Sequence, residues 1–209
     1  MAELRIYRGI TGMRQSLEQI KQQLAAELEA MAGESTPHAA VAMLELEERQ
    51  QARGRRIADL SVARALVEAH LDGELRARSI EAARVQLKER GAADVRICGW
   101  LATRVRLRGG LTLRMSSPYV RPELRGRRGR RRTKRAQAGA GLYPLLWQLG
   151  FEGTFSPAAR SEIGRAVVLG GSYSEAREQM ERAGLPMHTQ SMVRAAVELG
   201  SKGLELREQ

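Results

Sequence analysis

Residues 156–200 read SPAARSEIGRAVVLGGSYSEAREQMERAGLPMHTQSMVRAAVELG, and this stretch carries the clearest signals of helix ends in the chain. Ser156 followed by Pro157 is the pattern of a helix N-cap and a first helical residue. Ser172 and Glu175 have the spacing of a capping box, and Thr189 is expected to cap a further helix. The stretch therefore predicts three short helices, each ending at a glycine: Gly170, Gly184 and Gly200.

The last two of these helices have the pattern of a helix-turn-helix. A turn of three to five residues after Gly184 separates them, and small residues are expected on the packing face of the second helix. In that arrangement the second helix enters the major groove of DNA. Its early outward positions suit direct base readout, since Gln bonds adenine and Arg bonds guanine in two places each. The predicted base-reading residues are Gln190, Ser191 and Arg194. An ordinary corner of a helical bundle has the same pattern and remains the alternative.

A strongly basic run lies ahead of this region. Residues 121–135 read RPELRGRRGRRRTKR and hold nine Lys or Arg against one acid, in a chain with a formal net charge of +11. The partner of such a run is a polyanion, and glycines within it favour a flexible linker over residues 118–140. The predicted phosphate-binding residues are Arg121, Arg125, Arg127, Arg128, Arg130, Arg131, Arg132, Lys134 and Arg135.

Residues 94–117 show the alternation of apolar residues that is typical of strands. A three-residue loop over residues 108–110 sets Leu107 opposite Leu111 and Val105 opposite Leu113, so that the apolar side chains share one face. A small antiparallel β-hairpin is predicted. Its other face is either solvated or a basic surface continuous with the run that follows, and its residues are Arg104, Arg106, Thr112 and Arg114.

Residues 1–93 are predicted to be helical. Apolar residues recur at helical spacing from Thr11 to Met31, and two further helices are expected on either side of a break at Asp72 and Gly73. The first helix is a packing helix or a seam for self-association. The fold class is therefore mainly α. Its predicted parts are helices over 1–93, a β element over 94–117, a flexible linker over 118–140 and a helix-turn-helix domain over 141–203.

The composition argues against several functional classes. Aromatic residues make up only 4% of the chain, and the single cysteine and three scattered histidines cannot assemble a zinc-type ligand set. No apolar stretch approaches the roughly 20 residues that cross a bilayer, and the N-terminus lacks the hydrophobic core of a signal sequence. We therefore expect no metal, no cofactor, no small-molecule substrate and no membrane partner. The expected location is the cytoplasm, in association with the nucleoid.

A resemblance to a known family rests on an ordered series of short motifs. The Arg/Gly-rich run, then GLYPLLWQLGF at 141–151, then the helical stretch quoted above resemble the region ahead of the catalytic domain in bacterial insertion-sequence transposases of the ISKra type. LRGGLTLRMSSPYVRPE at 107–123 is similar to the strand-turn-strand segment that leads into that region. The resemblance covers roughly residues 101–200, about half of the chain.

The resemblance implies binding of duplex DNA, at the ends of a mobile element. Strand transfer in such transposases uses acidic residues that hold two divalent metal ions. The only aspartates here, Asp59, Asp72 and Asp94, all precede the basic run. The expectation is therefore a DNA-binding protein that is not itself an enzyme and that resembles the N-terminal part of a transposase. The alternatives are an RNA-binding or ribosome-associated protein, and an interaction adaptor whose first helix forms a coiled coil.

Overall fold

The computed structural model describes residues 3–33, 40–123, 141–151 and 153–207 of the chain. These residues form seven helices and three strands. In chain order the elements are β1 (Glu3–Arg5), α1 (Gly9–Ala32), α2 (Ala40–Leu71), α3 (Gly73–Glu89), β2 (Asp94–Arg106), β3 (Thr112–Glu123), α4 (Pro144–Gln148), α5 (Pro157–Leu169), α6 (Tyr173–Arg182) and α7 (Thr189–Arg207). The predicted mainly helical fold class is confirmed. Most of the predicted basic linker, residues 124–140, lies outside the described residues.

Three long helices form the N-terminal part of the fold, as predicted. α1 and α2 run antiparallel, since Arg56 of α2 pairs with Glu27 of α1 at 2.6 Å while Gln50 approaches the carbonyl of Met31. The carboxylate of Asp72 accepts two backbone N–H groups of the first turn of α3 and so caps that helix. The break predicted between the second and third helices is therefore confirmed.

β2 and β3 form the predicted antiparallel hairpin in the predicted register. Val105 lies opposite Leu113, and the N–H of Leu107 donates to the carbonyl of Leu111 at 2.9 Å, so three residues make the loop. The loop ends at Gly110, whose φ of +94° is a conformation that glycine adopts without steric cost. The apolar face of the hairpin is consequently buried, and its polar face is left outward.

β3 continues six residues further than predicted, so residues 118–123 belong to the sheet and not to the linker. Two prolines lie in this part of the strand, Pro118 and Pro122. Between them Val120 exchanges both of its backbone hydrogen bonds with Leu142, on the side away from β2. Because N–H directions alternate along a strand, the two proline nitrogens face that same side. The prolines therefore remove no hydrogen bond from the hairpin, which is how a strand tolerates them.

β1 was not predicted, and it makes the sheet mixed instead of purely antiparallel. It pairs in parallel with β3, with Leu4 opposite Leu113 and Arg5 opposite Arg114, which gives the strand order β1-β3-β2. Three residues are too few to show the alternation by which a strand is recognised in a sequence. Ile6, directly after β1, is 3% exposed and anchors this end of the chain in the core.

Two cores hold the helices of the N-terminal half against the sheet. The larger one lies between α1, α2 and the apolar face of the hairpin, and it includes Leu146 and Phe151. The smaller one joins α3 to the base of the hairpin and to Trp147. Residues 142–151 therefore pack with the N-terminal helices and the sheet. The predicted domain boundary at residue 141 does not coincide with this distribution of packing.

The last three helices pack around a separate core. Ile163 of α5, Met180 of α6 and Met192 of α7 are each at most 1% exposed within it. The hydroxyl groups of Ser156 and Ser172 each accept the backbone N–H of the third residue after them, both at 3.2 Å. The two predicted serine N-caps and the presence of three helices are therefore confirmed.

Two details of the last helix were predicted wrongly. α7 does not end at Gly200 but continues to Arg207, since a glycine inside a helix costs only about 1 kcal/mol relative to alanine. The turn itself has the predicted length, since four residues, 185–188, lie between Gly184 and the start of α7. Thr189 is the first helical residue instead of the cap, because the carbonyl of His188 accepts the first N–H groups of α7.

Arg106, the last residue of β2, joins the sheet to the last three helices. Its N–H donates to the carbonyl of Thr154 at 2.6 Å, and its own carbonyl accepts the N–H of Ser156 at 2.9 Å. Its guanidinium also donates to the carbonyl of Pro186 at 3.3 Å, in the connection that leads into α7. One arginine thus fixes the tip of the hairpin to the start of α5 and to the connection between α6 and α7.

The hairpin loop is held from its other side by a buried carboxylate on α2. Asp59 is 3% exposed and accepts the N–H groups of Gly109 at 2.9 Å and Leu111 at 2.8 Å. Burial raises the pKa of the Asp59 carboxyl, and the two backbone hydrogen bonds act in the opposite direction. A side chain at Gly110 would collide with the carbonyl of Gly184. The loop is therefore clamped between α2 and the connection of α6 to α7.

Candidate nucleic-acid interface

The predicted base-reading residues lie in the first two turns of α7. Gln190 and Arg194 are exposed and stand four residues apart, so they share one face of the helix, and Ser191 is half-buried beside them. Val197 follows Arg194 on the same face and is 61% exposed. The exposed face of α7 thus presents an amide, a guanidinium and an apolar side chain in series.

Basic side chains from two other elements lie close to the residues just ahead of this helix. Arg106 of β2 and Arg177 of α6 line a depression of about 390 Å³ together with His188 and Glu181. The guanidinium carbon of Arg106 lies 5.9 Å from the ring centroid of Phe155, which holds the side chain against the three-helix unit. Glu181 offsets part of the positive charge. The remaining groups suit contacts with phosphates next to a base-reading helix.

The three-helix unit itself carries almost no net charge. Residues 153–207 contain seven Lys or Arg and six Glu, whereas the hairpin over residues 94–123 contains six arginines against two acids. A nearly neutral helical unit gains little from general attraction to a polyanion. The excess positive charge of the chain therefore lies in the sheet and in the run of residues 121–135.

Of the predicted phosphate-binding residues, the structure describes Arg121. It is exposed on β3, opposite Arg96 of β2, so two arginines stand side by side where the hairpin leads into the basic run. The others lie outside the described residues: Arg125, Arg127, Arg128, Arg130, Arg131, Arg132, Lys134 and Arg135.

Two arginines of the candidate interface, Arg5 and Arg177, were not predicted. Arg5 lies on β1, a strand that the sequence pattern did not reveal, and it joins the sheet face through its pairing with β3. Arg177 lies on α6 and comes close to Arg106 only through the docking of the three-helix unit on the hairpin. Neither proximity has a signal in local spacing, because both depend on contacts between residues far apart in the chain.

In the described part of the chain, no group of three or more His, Cys, Asp or Glu side chains is arranged to hold a metal ion. Among the same residues, no helix combines the length and the hydropathy needed to cross a bilayer.

Comparisons with models of protein families, with curated proteins and with solved structures found no match for this chain.

Proposed function

We propose that this protein binds duplex DNA, with α6, the connection after it and α7 acting as a helix-turn-helix. In this arrangement α7 enters the major groove and presents its exposed face to the base edges. Gln190, Ser191 and Arg194 contact bases, and Val197 reaches the methyl group of a thymine. Arg106 and Arg177 contact the phosphates beside the groove.

One observation carries this proposal more than any other. Gln190 and Arg194 stand exposed on one face at the start of a helix that is flanked by Arg106 and Arg177. Side chains that are able to bond adenine and guanine are therefore found near side chains that are able to bond phosphate. Affinity and sequence preference have separate sources in this proposal, because phosphate contacts position a protein on DNA and base contacts specify the site.

The basic run of residues 121–135 is proposed as the main source of affinity. Its arginines would neutralise phosphates and release counterions, without reading sequence. The resemblance to ISKra-type transposases suggests that the preferred sites are the ends of a mobile element.

A competition experiment tests the choice of nucleic acid. Fluorescence anisotropy would follow a labelled random-sequence duplex bound by the protein, while unlabelled duplex DNA or structured RNA of equal phosphate number is added. We expect duplex DNA to displace the probe at a lower concentration than RNA does. Displacement by RNA at the lower concentration would favour the RNA-binding alternative, and the absence of any shift in anisotropy would exclude both.

We also propose self-association through the far end of the α1 and α2 pair, which would supply two reading helices for two half-sites. Support comes from four exposed apolar side chains, between 38% and 58% accessible, at the end of α1 and the start of α2: Leu28, Met31, Met43 and Leu44. Light scattering of the wild type and of a variant with Leu28→Glu and Leu44→Glu tests this. A monomeric mass for the wild type would contradict it.

A further inference from the structure

Three arginines stand in one row across the sheet. Arg5 of β1 is paired with Arg114 of β3, and Arg114 is paired in turn with Arg104 of β2. Residues directly opposite each other share a face of the sheet, and adjacent strands lie about 4.8 Å apart. The Cα atoms of three arginines therefore lie side by side within about 10 Å. Like charges placed directly opposite each other destabilise a sheet, so this row costs folding free energy.

The row is only partly neutralised. Glu3 forms an ion pair with Arg114. Within the described residues, Arg5 and Arg104 form no ion pair, and both are exposed. Elsewhere on the surface several arginines do have carboxylate partners, for example Arg64 with Glu68 at 3.6 Å. The sheet face thus holds positive charge that intramolecular pairing leaves available.

The surroundings of the row suit a phosphate group. The three arginines line a depression of about 340 Å³ on the face of the sheet, together with Ser116 and Ala102. Ser116 lies opposite Ala102 and two residues after Arg114, so it lies on the same face as the row. Its short side chain leaves room above the sheet and adds a hydroxyl donor to the guanidinium groups. Arginine and serine are common donors to phosphate oxygens.

The row also leads toward the base-reading helix. Arg106 follows Arg104 by two residues on β2, so it lies on the same face about 7 Å further along the strand. The guanidinium of Arg106 reaches the carbonyl of Pro186, just ahead of α7. Positive side chains therefore continue from the edge strand β1 to the start of the helix that is proposed to read bases.

We propose that the outward face of the sheet binds the phosphates of duplex DNA that flank the bases contacted by α7. This inference rests on the proposed DNA-binding function and extends it, since it names a second surface for the same duplex. Charge complementarity selects the occupant: the row carries a net positive charge, and the duplex presents a regular array of phosphates. The sheet lengthens the footprint and raises affinity without adding sequence preference.

A triple variant tests this surface. Arg5→Gln, Arg104→Gln and Arg114→Gln together remove the row, and a control with Arg49→Gln, Arg64→Gln and Arg84→Gln removes the same charge from arginines on α2 and α3 that face carboxylates. The affinity for duplex DNA is measured over a range of salt concentrations. We expect the log-log salt slope to fall in magnitude by about 2 to 3 in the sheet variant and to stay unchanged in the control.

The dependence of affinity on duplex length provides a second measurement on the same variants. Wild-type affinity should increase when flanking base pairs are added to a short duplex, and the sheet variant should lose this increase. Equal slopes in the sheet variant, the control and the wild type would overturn the inference while leaving the proposed function intact. Failure of the wild type to bind any duplex would instead overturn the proposed function.

Folding of the variants is checked by thermal unfolding. Because the row repels itself, the sheet variant should unfold at the same temperature as the wild type or higher. If the triple variant does not fold, the single variant Arg104→Gln on the edge strand β2 replaces it, with an expected decrease of about 1 in slope magnitude. An unchanged slope in that folded single variant would also contradict the inference.

Discussion

Arg194 is the side chain on which sequence preference should depend most. It is exposed on α7, one helical turn after Gln190, where a guanidinium can bond the two acceptors of a guanine edge. Arg194→Ala should weaken binding to a preferred duplex by about 1 to 3 kcal/mol and leave binding to random duplexes almost unchanged. The preferred duplex would first be selected from a random pool by the wild-type protein.

The control for this prediction is Arg165→Ala, which removes an exposed arginine from α5 in the same three-helix unit. Both variants lose one positive charge. An equal loss of affinity on preferred and random duplexes for Arg194→Ala would show that α7 does not read bases.

His70 is a fully buried side chain with a defined hydrogen-bonding state. Its Nδ1 lies 2.8 Å from the carbonyl of Leu66, which only accepts, so Nδ1 carries the proton. Its Nε2 lies 3.0 Å from the hydroxyl of Ser117 and accepts from it. Burial lowers the pKa of His70 to about 4, and the charge of Arg76 acts in the same direction, against the hydrogen bond to Leu66. The neutral imidazole ties α2 to β3.

This geometry predicts acid sensitivity. The pKa of His70 in the unfolded chain is about 6.5, so below that pH the unfolded state binds a proton that the folded state does not take up until about pH 4. Stability is therefore lost as the pH falls from about 6.5 to 4, by about 2 kcal/mol at pH 5. Urea unfolding at pH 7.5 and pH 5 measures this loss.

The variant His70→Gln supplies the control, because it removes the titrating group. The comparison also removes the contribution of Asp59, which is present in both proteins. The raised pKa of Asp59 stabilises the folded state as the pH falls, in the direction opposite to His70. If the wild type and His70→Gln lose the same stability between the two pH values, His70 does not determine the acid sensitivity.

The hairpin loop is the element on which the docking of the last three helices depends. Asp59 accepts both the Gly109 and the Leu111 N–H groups. In Asp59→Asn one of these N–H groups faces an amide donor and loses its acceptor, which should cost about 1 to 3 kcal/mol of unfolding free energy. Urea unfolding at pH 7.5 and hydrogen exchange at the Leu111 amide measure the effect.

Glu81→Gln on α3 is the matched control for Asp59→Asn. It makes the same chemical change in a surface ion pair with Arg84, at 3.4 Å, where the expected cost is within about 0.5 kcal/mol. Similar stabilities for the two variants, with unchanged exchange at Leu111, would show that the carboxylate does not hold the loop.

Elements with strong local signals could be predicted from the sequence. Ser156 and Ser172 mark helix starts through side-chain chemistry that acts within one turn, and the hairpin register follows from alternation around a glycine loop. The end of α7 was mispredicted because a single glycine such as Gly200 is only a weak helix breaker. The strand β1 and the part of β3 that contains two prolines are defined by pairing with residues distant in the chain, and such pairings leave no local pattern in the sequence.

The same distinction applies to the candidate interface. The positions of Gln190 and Arg194 on one exposed helix face follow from helical periodicity, which a sequence reveals. Predicting the arginine row of the sheet would have required the register of all three strands, and the sequence pattern did not reveal β1. Predicting that Arg106 and Arg177 lie near α7 would have required knowing how the three-helix unit docks on the hairpin through Arg106.

The chain as a whole separates its positive charge from the groups proposed to read bases. The last three helices carry the exposed face of α7 and are nearly neutral, while the hairpin and the run of residues 121–135 carry an excess of arginine. The contacts of Arg106 and of the hairpin loop hold the neutral unit against the basic sheet. A duplex seated on α7 would consequently lie next to the basic surface.

The salt dependence of wild-type binding to a duplex tests most directly the proposal that the arginines of this protein hold DNA. If about six arginines of residues 121–135 engage phosphates, the slope of log Kobs against log salt concentration should be about −5. Fluorescence anisotropy with one labelled duplex over a series of salt concentrations measures it. A slope near zero, or no binding at low salt, would contradict the proposal that this protein holds DNA through its arginines.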